Sequence, residues 1–404
     1  MPTIAGTKAF EVGKDVPLRL KVDWLSFTVS TALDNKNNED FYLLKKLGYN
    51  VSDFKEILGK NFFNSGLSYG NGFIRLFFND SSKPLQKGST NDHQYLFSGV
   101  GCSDLHQKIN GDWVGLFKYL RKFGVRFRRV DLAVDDLSYP SRISFDYIER
   151  KLAKEEFKSS KRRYNVISNF KTENKKQNVR TGKTVYWGSK KTSGANGHSL
   201  LRIYQKAYEL IESKKQAEAL PPEVLLQQNL PDFDGEFNWM RWELEITKAK
   251  ADALIDLILK KSEKVDNPLQ VVFGSILLDV VTFLVPTKNS NGEIYKNKNK
   301  WKISQKYLDF LGQSEKAKLE NPDKLYDLGS VLNWIKYSVT PSLQLCFEVF
   351  SQVNVDFFDI LRNFVTQNPA EYSKKQERLL LESKTMKPKE LALYITQFMR
   401  ERGK

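Results

Sequence analysis

Apolar and polar residues alternate over residues 18–29 (LRLKVDWLSFTV), which predicts a strand, and a polar loop follows at 35–40. Further strands are expected at 73–78 and 95–97, joined by a turn-rich stretch at 79–92. From 104 to 123 the period changes: Leu105, Ile109, Trp113, Leu116 and Leu120 recur every three or four residues, predicting one helix that stops at Gly124. Residues 125–136 read as a strand and 144–153 as a helix. Three more strand candidates lie near 184–188, 200–206 and 239–246. Helices mixed with hairpin-like strand pairs predict an α+β domain built on a largely antiparallel sheet with flanking helices.

After about residue 250 the pattern shifts. Residues 249–261 and 267–283 read as apolar helices or buried elements, 289–300 as a polar, basic linker, and 301 onward as helical, for instance at Leu391, Tyr394, Ile395, Phe398 and Met399. The expected organisation is an N-terminal extension (1–17), a main domain (18–265) and a mostly helical C-terminal domain (266–404) with its linker near 287–300.

Charge sharpens this outline. The 404 residues carry 64 Lys and Arg against 48 Asp and Glu, a net charge of +16, which favours a polyanionic partner. The excess is local: residues 151–191 hold thirteen Lys or Arg against three Glu, interleaved with Tyr164, Phe170, Tyr186 and Trp187. Backbone neutralisation combined with base stacking is how single strands are held. A second basic cluster (Arg121, Lys122, Arg126, Arg128, Arg129) leads into an acidic strand. The two cysteines, Cys102 and Cys346, exclude a disulfide framework and a four-thiolate metal site, which suits a reducing cytoplasm. The longest apolar run, 269–285, is interrupted by Gln270 and Asp279 and is too short to span a bilayer, so no membrane association is expected.

Several chemistries are absent. The histidines at 93, 106 and 198 are too far apart for a sequence-local metal pair. Gly182-Lys183-Thr184 looks like the end of a phosphate-binding loop, but Gln177 stands where its upstream glycine belongs. No nucleophile elbow occurs.

What remains is a repeated two-faced strand. In Val130-Asp131-Leu132-Ala133-Val134-Asp135-Asp136, the alternation puts Val130, Leu132 and Val134 on one face and Asp131 and Asp135 on the other. In Arg241-Trp242-Glu243-Leu244-Glu245-Ile246, it separates Trp242, Leu244 and Ile246 from Arg241, Glu243 and Glu245. In Leu201-Arg202-Ile203-Tyr204-Gln205-Lys206, it sets Arg202, Tyr204 and Lys206 opposite Leu201 and Ile203. Were these strands neighbours, one surface would hold carboxylates, a phenol and cations. Such oxygen ligands suit Mg²⁺ or Mn²⁺, and a phenol beside a polarised phosphodiester can attack phosphorus. Arg202 and Lys206 are expected to favour the phenolate.

Arg129-Val-Asp-Leu-Ala-Val-Asp135, Val185-Tyr-Trp-Gly-Ser-Lys190, Leu201-Arg-Ile-Tyr-Gln-Lys206 and Arg241-Trp-Glu-Leu-Glu245 resemble, in that order, the motifs of the Rep_trans family of rolling-circle replication initiators and related conjugative relaxases. The resemblance implies a site- and strand-specific DNA nicking and joining enzyme that depends on Mg²⁺ or Mn²⁺. It implies Tyr204 as nucleophile, Gln205 replacing the usual Asn beside it. It makes Asp131 and Glu243, then Asp135 and Glu245, the metal ligands, and assigns DNA contacts to Arg129, Arg202, Lys206, Arg241, Lys190, Lys191 and Tyr186. Tyr208 is expected to be structural. Origin DNA, a host helicase and polymerase and a homodimer are the implied partners. The alternatives are a relaxase of the same chemistry and a non-catalytic DNA-binding regulator.

Overall fold

The computed structural model describes residues 16–35, 40–86, 88–173, 177–189, 198–212, 220–229 and 237–312, with parts of 331–392. Thirteen strands follow one another along the described chain: β1 (Arg19–Ser30), β2 (Lys55–Leu58), β3 (Ser65–Tyr69), β4 (Ile74–Phe78), β5 (Asp92–Phe97), β6 (Arg126–Asp136), β7 (Phe157–Lys158), β8 (Tyr164–Glu173), β9 (Gln177–Trp187), β10 (Ser199–Gln205), β11 (Met240–Thr247), β12 (Thr282–Val285) and β13 (Lys302–Ile303). Ten form one sheet in the order β2-β3-β4-β5-β1-β6-β11-β10-β9-β8, and β13-β12-β7 form a small second one. Every neighbouring pair of the large sheet is antiparallel, as the alternation predicts.

The apolar faces of the central strands meet the helices. Val130, Leu132, Leu201, Ile203, Trp242, Leu244 and Ile246 are fully buried in the same cluster as Leu254, Ile255 and Ile258 of the helix Ala249–Lys261 and Val272 and Leu277 of Pro268–Val280. Water exclusion from these side chains, at roughly 1.5–3 kcal/mol each, fixes which face of each strand turns outward. The outward face is where the charged residues go.

Three features differ from the sequence reading. The helix expected over 104–123 is two helices, Gly99–Lys108 and Trp113–Lys122. Asn110 (φ 50°) and Gly111 (φ 77°) break it in left-handed conformations, and Asp112 restarts it by accepting a hydrogen bond from the Gly115 backbone at 2.7 Å. The apolar spacing runs unbroken across this turn, which is why it conceals the break. The basic stretch after 158 is largely the hairpin β8–β9, with β8 on the sheet edge. The strand expected over 200–206 ends at Gln205, and Lys206 begins a helix, Lys206–Glu212.

Contacts divide the chain into two compact units, Met1–Pro322 and Asp323–Lys404. The first thus extends past the boundary expected at 265/266, because Pro268–Val280 buries Val272, Phe273 and Ile276 in the main core. In the second unit the described residues include the helices Thr340–Ser351 and Phe357–Gln367, in contact through the Phe347–Phe358 and Phe350–Phe357 ring pairs. No helix among the described residues is long and apolar enough to cross a membrane.

Candidate active site

Strand register brings the predicted residues together. β6 and β11 pair so that Asp131 faces Glu245 and Asp135 faces Arg241. β11 and β10 pair so that Glu243 faces Arg202 and Arg241 faces Tyr204. With successive side chains on opposite faces, Asp131, Glu243, Glu245, Arg202 and Tyr204 converge on the face turned away from the main helices. Asp131, Glu243 and Glu245 are 1 %, 3 % and 2 % exposed.

Buried carboxylates need partners, and here two arginines serve three of them. Arg129 donates to Asp131 through Nε (2.9 Å) and Nη2 (2.5 Å), lies 3.1 Å from Glu245 Oε2, and stacks on the Trp24 ring at 4.4 Å. Arg202 Nη2 bonds Glu243 Oε1 and lies 3.7 Å from Glu245 Oε2 and 3.9 Å from Asp131 Oδ2. One cationic nitrogen therefore sits among oxygens from three carboxylates, while Arg202 Nε is buried with no hydrogen-bond partner. Burial, and then the Glu243 and Glu245 charges, push the Asp131 carboxyl up to about 7 against the pull of Arg129. His198 completes the cluster, its Nε2 lying 2.6 Å from Glu245 Oε1.

The Tyr204 hydroxyl donates to Glu243 Oε2 at 2.8 Å. Burial first, and then the Glu243 charge, raise this phenol well above its ordinary value, with Arg241 pulling the other way. The expected phenolate is therefore not stabilised as the sequence suggested. Arg202 is spent on Glu243, and Lys206, which lines the same cleft with its Nζ 5.7 Å from the Tyr204 ring centre, bonds Glu209 at 2.5 Å. What the geometry provides is a proton acceptor in place.

Asp135 stands apart from the acid cluster. It binds Arg241 Nε and Nη2 at 2.6 and 2.7 Å, and Arg241 also reaches Asp23 at 3.3 Å. Arg241 is 2 % exposed, so it braces the sheet between two acids. Tyr204, Arg202, Asp131 and Glu243 line a cleft of about 1170 Å³ whose far wall includes Trp24, Gly99 and Val100. Tyr186 and Tyr208 line an adjoining cavity of about 200 Å³, Tyr208 from the helix Lys206–Glu212. Lys190 and Lys191 lie outside the described residues.

Sequence reasoning missed His198, Asp23 and Trp24. Trp24 and Asp23 lie within the predicted first strand, yet only the β1–β6 pairing, Trp24 opposite Asp131, reveals their place. His198 precedes β10 and gives no local signal.

Among the described residues, no group of three or more His, Cys, Asp or Glu is arranged to hold a metal ion as it stands. The donor chemistry, hard carboxylate oxygens, is nevertheless of the kind that suits Mg²⁺ or Mn²⁺. In the present arrangement the Arg202 guanidinium, not a metal ion, lies among the oxygens of Asp131, Glu243 and Glu245.

Together these features define an antiparallel-sheet protein that carries a buried acid cluster and a phenol at an open cleft. The fold matches that of a rolling-circle replication initiator protein from Geobacillus stearothermophilus, with a TM-score of 0.53 and 20 % identity over 76 % of this chain and 99 % of that one. The chain belongs to the Rep_trans family of replication initiation factors, which it matches over residues 125–363. It is also 25 % identical over 330 residues, 80 % of this chain and 82 % of the relative, to NicK of Bacillus subtilis (strain 168), assigned by name as a DNA relaxase.

Proposed function

We propose that this protein initiates rolling-circle replication by nicking one strand of origin DNA, with Tyr204 as the nucleophile. The observation that carries the reading is the 2.8 Å bond from the Tyr204 hydroxyl to Glu243, one of three buried carboxylates gathered at an open cleft. Glu243 Oε2 takes the phenolic proton as the phenol oxygen bonds to phosphorus. The phosphorus–O3′ bond breaks, the leaving oxygen takes a proton from solvent, and a 5′-phosphotyrosine and a 3′-hydroxyl primer result. The new ester keeps the energy of the old one, so the reverse reaction rejoins ends without a nucleotide cofactor.

Asp131, Glu243 and Glu245 would hold a divalent cation, Mg²⁺ or Mn²⁺, which when bound supplies charge neutralisation at the phosphate oxygens. Glu243 can face that position through Oε1 and Tyr204 through Oε2, as it now faces Arg202 and the phenol. His198 orients Glu245, and Asp135 holds Arg241 outside the cation set. Origin DNA, host unwinding and polymerising enzymes, and a second copy of the chain complete the reading, with the basic hairpin β8–β9 as a DNA-contacting surface. A conjugative relaxase with the same chemistry is the second reading, favoured by the name of the Bacillus relative.

Supercoiled origin DNA incubated with the protein and Mg²⁺ or Mn²⁺ should give nicked circles with protein joined to the 5′ end. Tyr204→Phe should give none, a loss of at least about 10⁴-fold in adduct formation. An adduct formed by Tyr204→Phe assigns the nucleophile elsewhere.

A further inference from the structure

A second charged cavity, of about 390 Å³, lies at the end of the sheet where β8 and β10 begin and β9 ends. Lys161, Arg162, Arg163 and Lys250 line it, with Ser199 and His198 between them. Its walls are tied down: Lys161 Nζ donates to Ser199 Oγ at 2.5 Å, the Gly188 backbone N–H donates to the Arg163 carbonyl at 3.0 Å, and that of Ser160 donates to the Asp279 carbonyl at 3.1 Å.

No carboxylate among the described residues lines this cavity. Asp279 acts on Lys161 from outside it, but burial and repulsion from Lys250 prevail and push the Lys161 ammonium down to about 8. Arg162, Arg163 and Lys250 make no ion pair with any described acid. Four cations, with Asp279 alone among the described acids acting on them from outside the cavity, repel one another, and seating an anion among them relieves that repulsion. The volume suits a small group such as a phosphodiester.

The cavity is also connected to the nicking centre. His198 lines it and holds Glu245 of the acid cluster at 2.6 Å. From His198 to Tyr204 is about 20 Å along the strand at ~3.3 Å per residue. That spans about six nucleotides of a stacked strand at ~3.4 Å each.

We propose that this cavity binds a backbone phosphodiester of the DNA strand engaged at Tyr204, several nucleotides from the nick, and so sets the path of that strand along β10. The proposal rests on the DNA-nicking reading and deepens it.

The test reads binding, so it can fail while nicking stands. The affinity of the full chain for oligothymidine of about 20 nucleotides is measured by fluorescence anisotropy across a salt series. The Arg163→Gln/Lys250→Gln variant should bind roughly tenfold more weakly. Its slope of log affinity against log salt should shrink by about 0.7 for each phosphate that the variant no longer neutralises. Arg162→Gln, a change at an exposed side chain, should move the slope in the same direction. Lys302→Gln, an equal charge change at an exposed site remote in sequence, should not. Unchanged slopes in both cavity variants would overturn the proposal. So would tight binding of inorganic phosphate to the wild type that disappears in the double variant while its oligothymidine slope stays fixed, since that makes the cavity a small-anion site. Wild-type protein that neither binds oligothymidine nor forms the Tyr204 adduct overturns both readings together.

Discussion

The first unit contains two buried assemblies of the same three ingredients, and they behave differently. Asp34, His93 and Tyr95 lie at 0 %, 4 % and 0 % exposure. Asp34 accepts from the Leu43 backbone at 2.8 Å and from the Tyr95 hydroxyl at 2.5 Å, and its Oδ2 lies 2.7 Å from His93 Nδ1. The candidate site likewise joins carboxylates to a phenol, Tyr204, and an imidazole, His198. Both phenols are pushed above their ordinary value by burial and then by the adjacent carboxylate. Raised phenols therefore do not separate a structural cluster from a functional one.

The number of acids gathered and their access to solvent do. One carboxylate at Asp34 has three partners and is closed off from solvent. Three carboxylates at the site share two guanidiniums and one imidazole, and Tyr204 lines an open cleft. The first arrangement locks the turn after β1 onto β5. The second keeps three acids and a phenol beside a space large enough for a nucleic-acid strand, as a site that binds a cation and a phosphate would.

The largest contrast should appear in Glu243→Gln. The amide keeps an oxygen for the Tyr204 hydroxyl but cannot take its proton, so single-turnover formation of the DNA adduct should fall about 10³-fold. The melting temperature should drop by several degrees, because the amide nitrogen then faces the Arg202 guanidinium that Oε1 now holds, with the chain still folded at the assay temperature. A collapse of folding in Glu243→Gln would make this carboxylate a structural partner like Asp34.

Asp34→Ala should do the reverse. It strands the Tyr95 hydroxyl, the His93 ring and the Leu43 N–H without their acceptor, at a cost of about 3 kcal/mol. In a unit of this size that lowers the melting temperature by roughly 5 °C. Adduct formation per folded molecule should be unchanged. A loss of nicking at a temperature where the variant is still folded would break the distinction between the two clusters.

Much of the site was legible because strands encode it simply. Alternation alone separated Leu132 from Asp131, Trp242 from Glu243 and Ile203 from Tyr204, and the sheet keeps each on its expected face. Pattern cannot encode which oxygen meets which nitrogen. Arg202 and Lys206 share a parity with Tyr204, yet one turns to Glu243 and the other to Glu209. Asp135 shares a parity with Asp131, yet Arg241 claims it. His198 and Trp24 reach the site only through long-range pairing. Likewise β2 (KEIL) and β3 (SGLSY) carry too few apolar residues to stand out as the equally short β4 (IRLFF) does, and the turn at Asn110 and Gly111 is hidden because the apolar spacing continues through it.

The smallest effect sharpens the comparison most, because its sign is opposite to intuition. The Asp131 carboxyl is raised from 3.8 to about 7 by burial and by Glu243 and Glu245. The folded state therefore holds a proton there more tightly than the unfolded chain does. That contribution is fully present below about pH 4 and is lost as the pH rises through about 7, so at pH 8 the ionised Asp131 works against folding. Asp131→Asn mimics the protonated form. It should raise stability at pH 8 by about 1 kcal/mol, the remainder of the relief being offset by the weakened Arg129 pair. The gain should shrink steadily toward pH 5, where the wild-type carboxyl is itself protonated, and cation-dependent nicking should be lost in the same variant. Urea denaturation at the two pH values checks both sign and trend. An Asp131→Asn protein less stable than wild type at pH 8 would mean that Arg129 already satisfies this acid as fully as His93, Tyr95 and Leu43 satisfy Asp34.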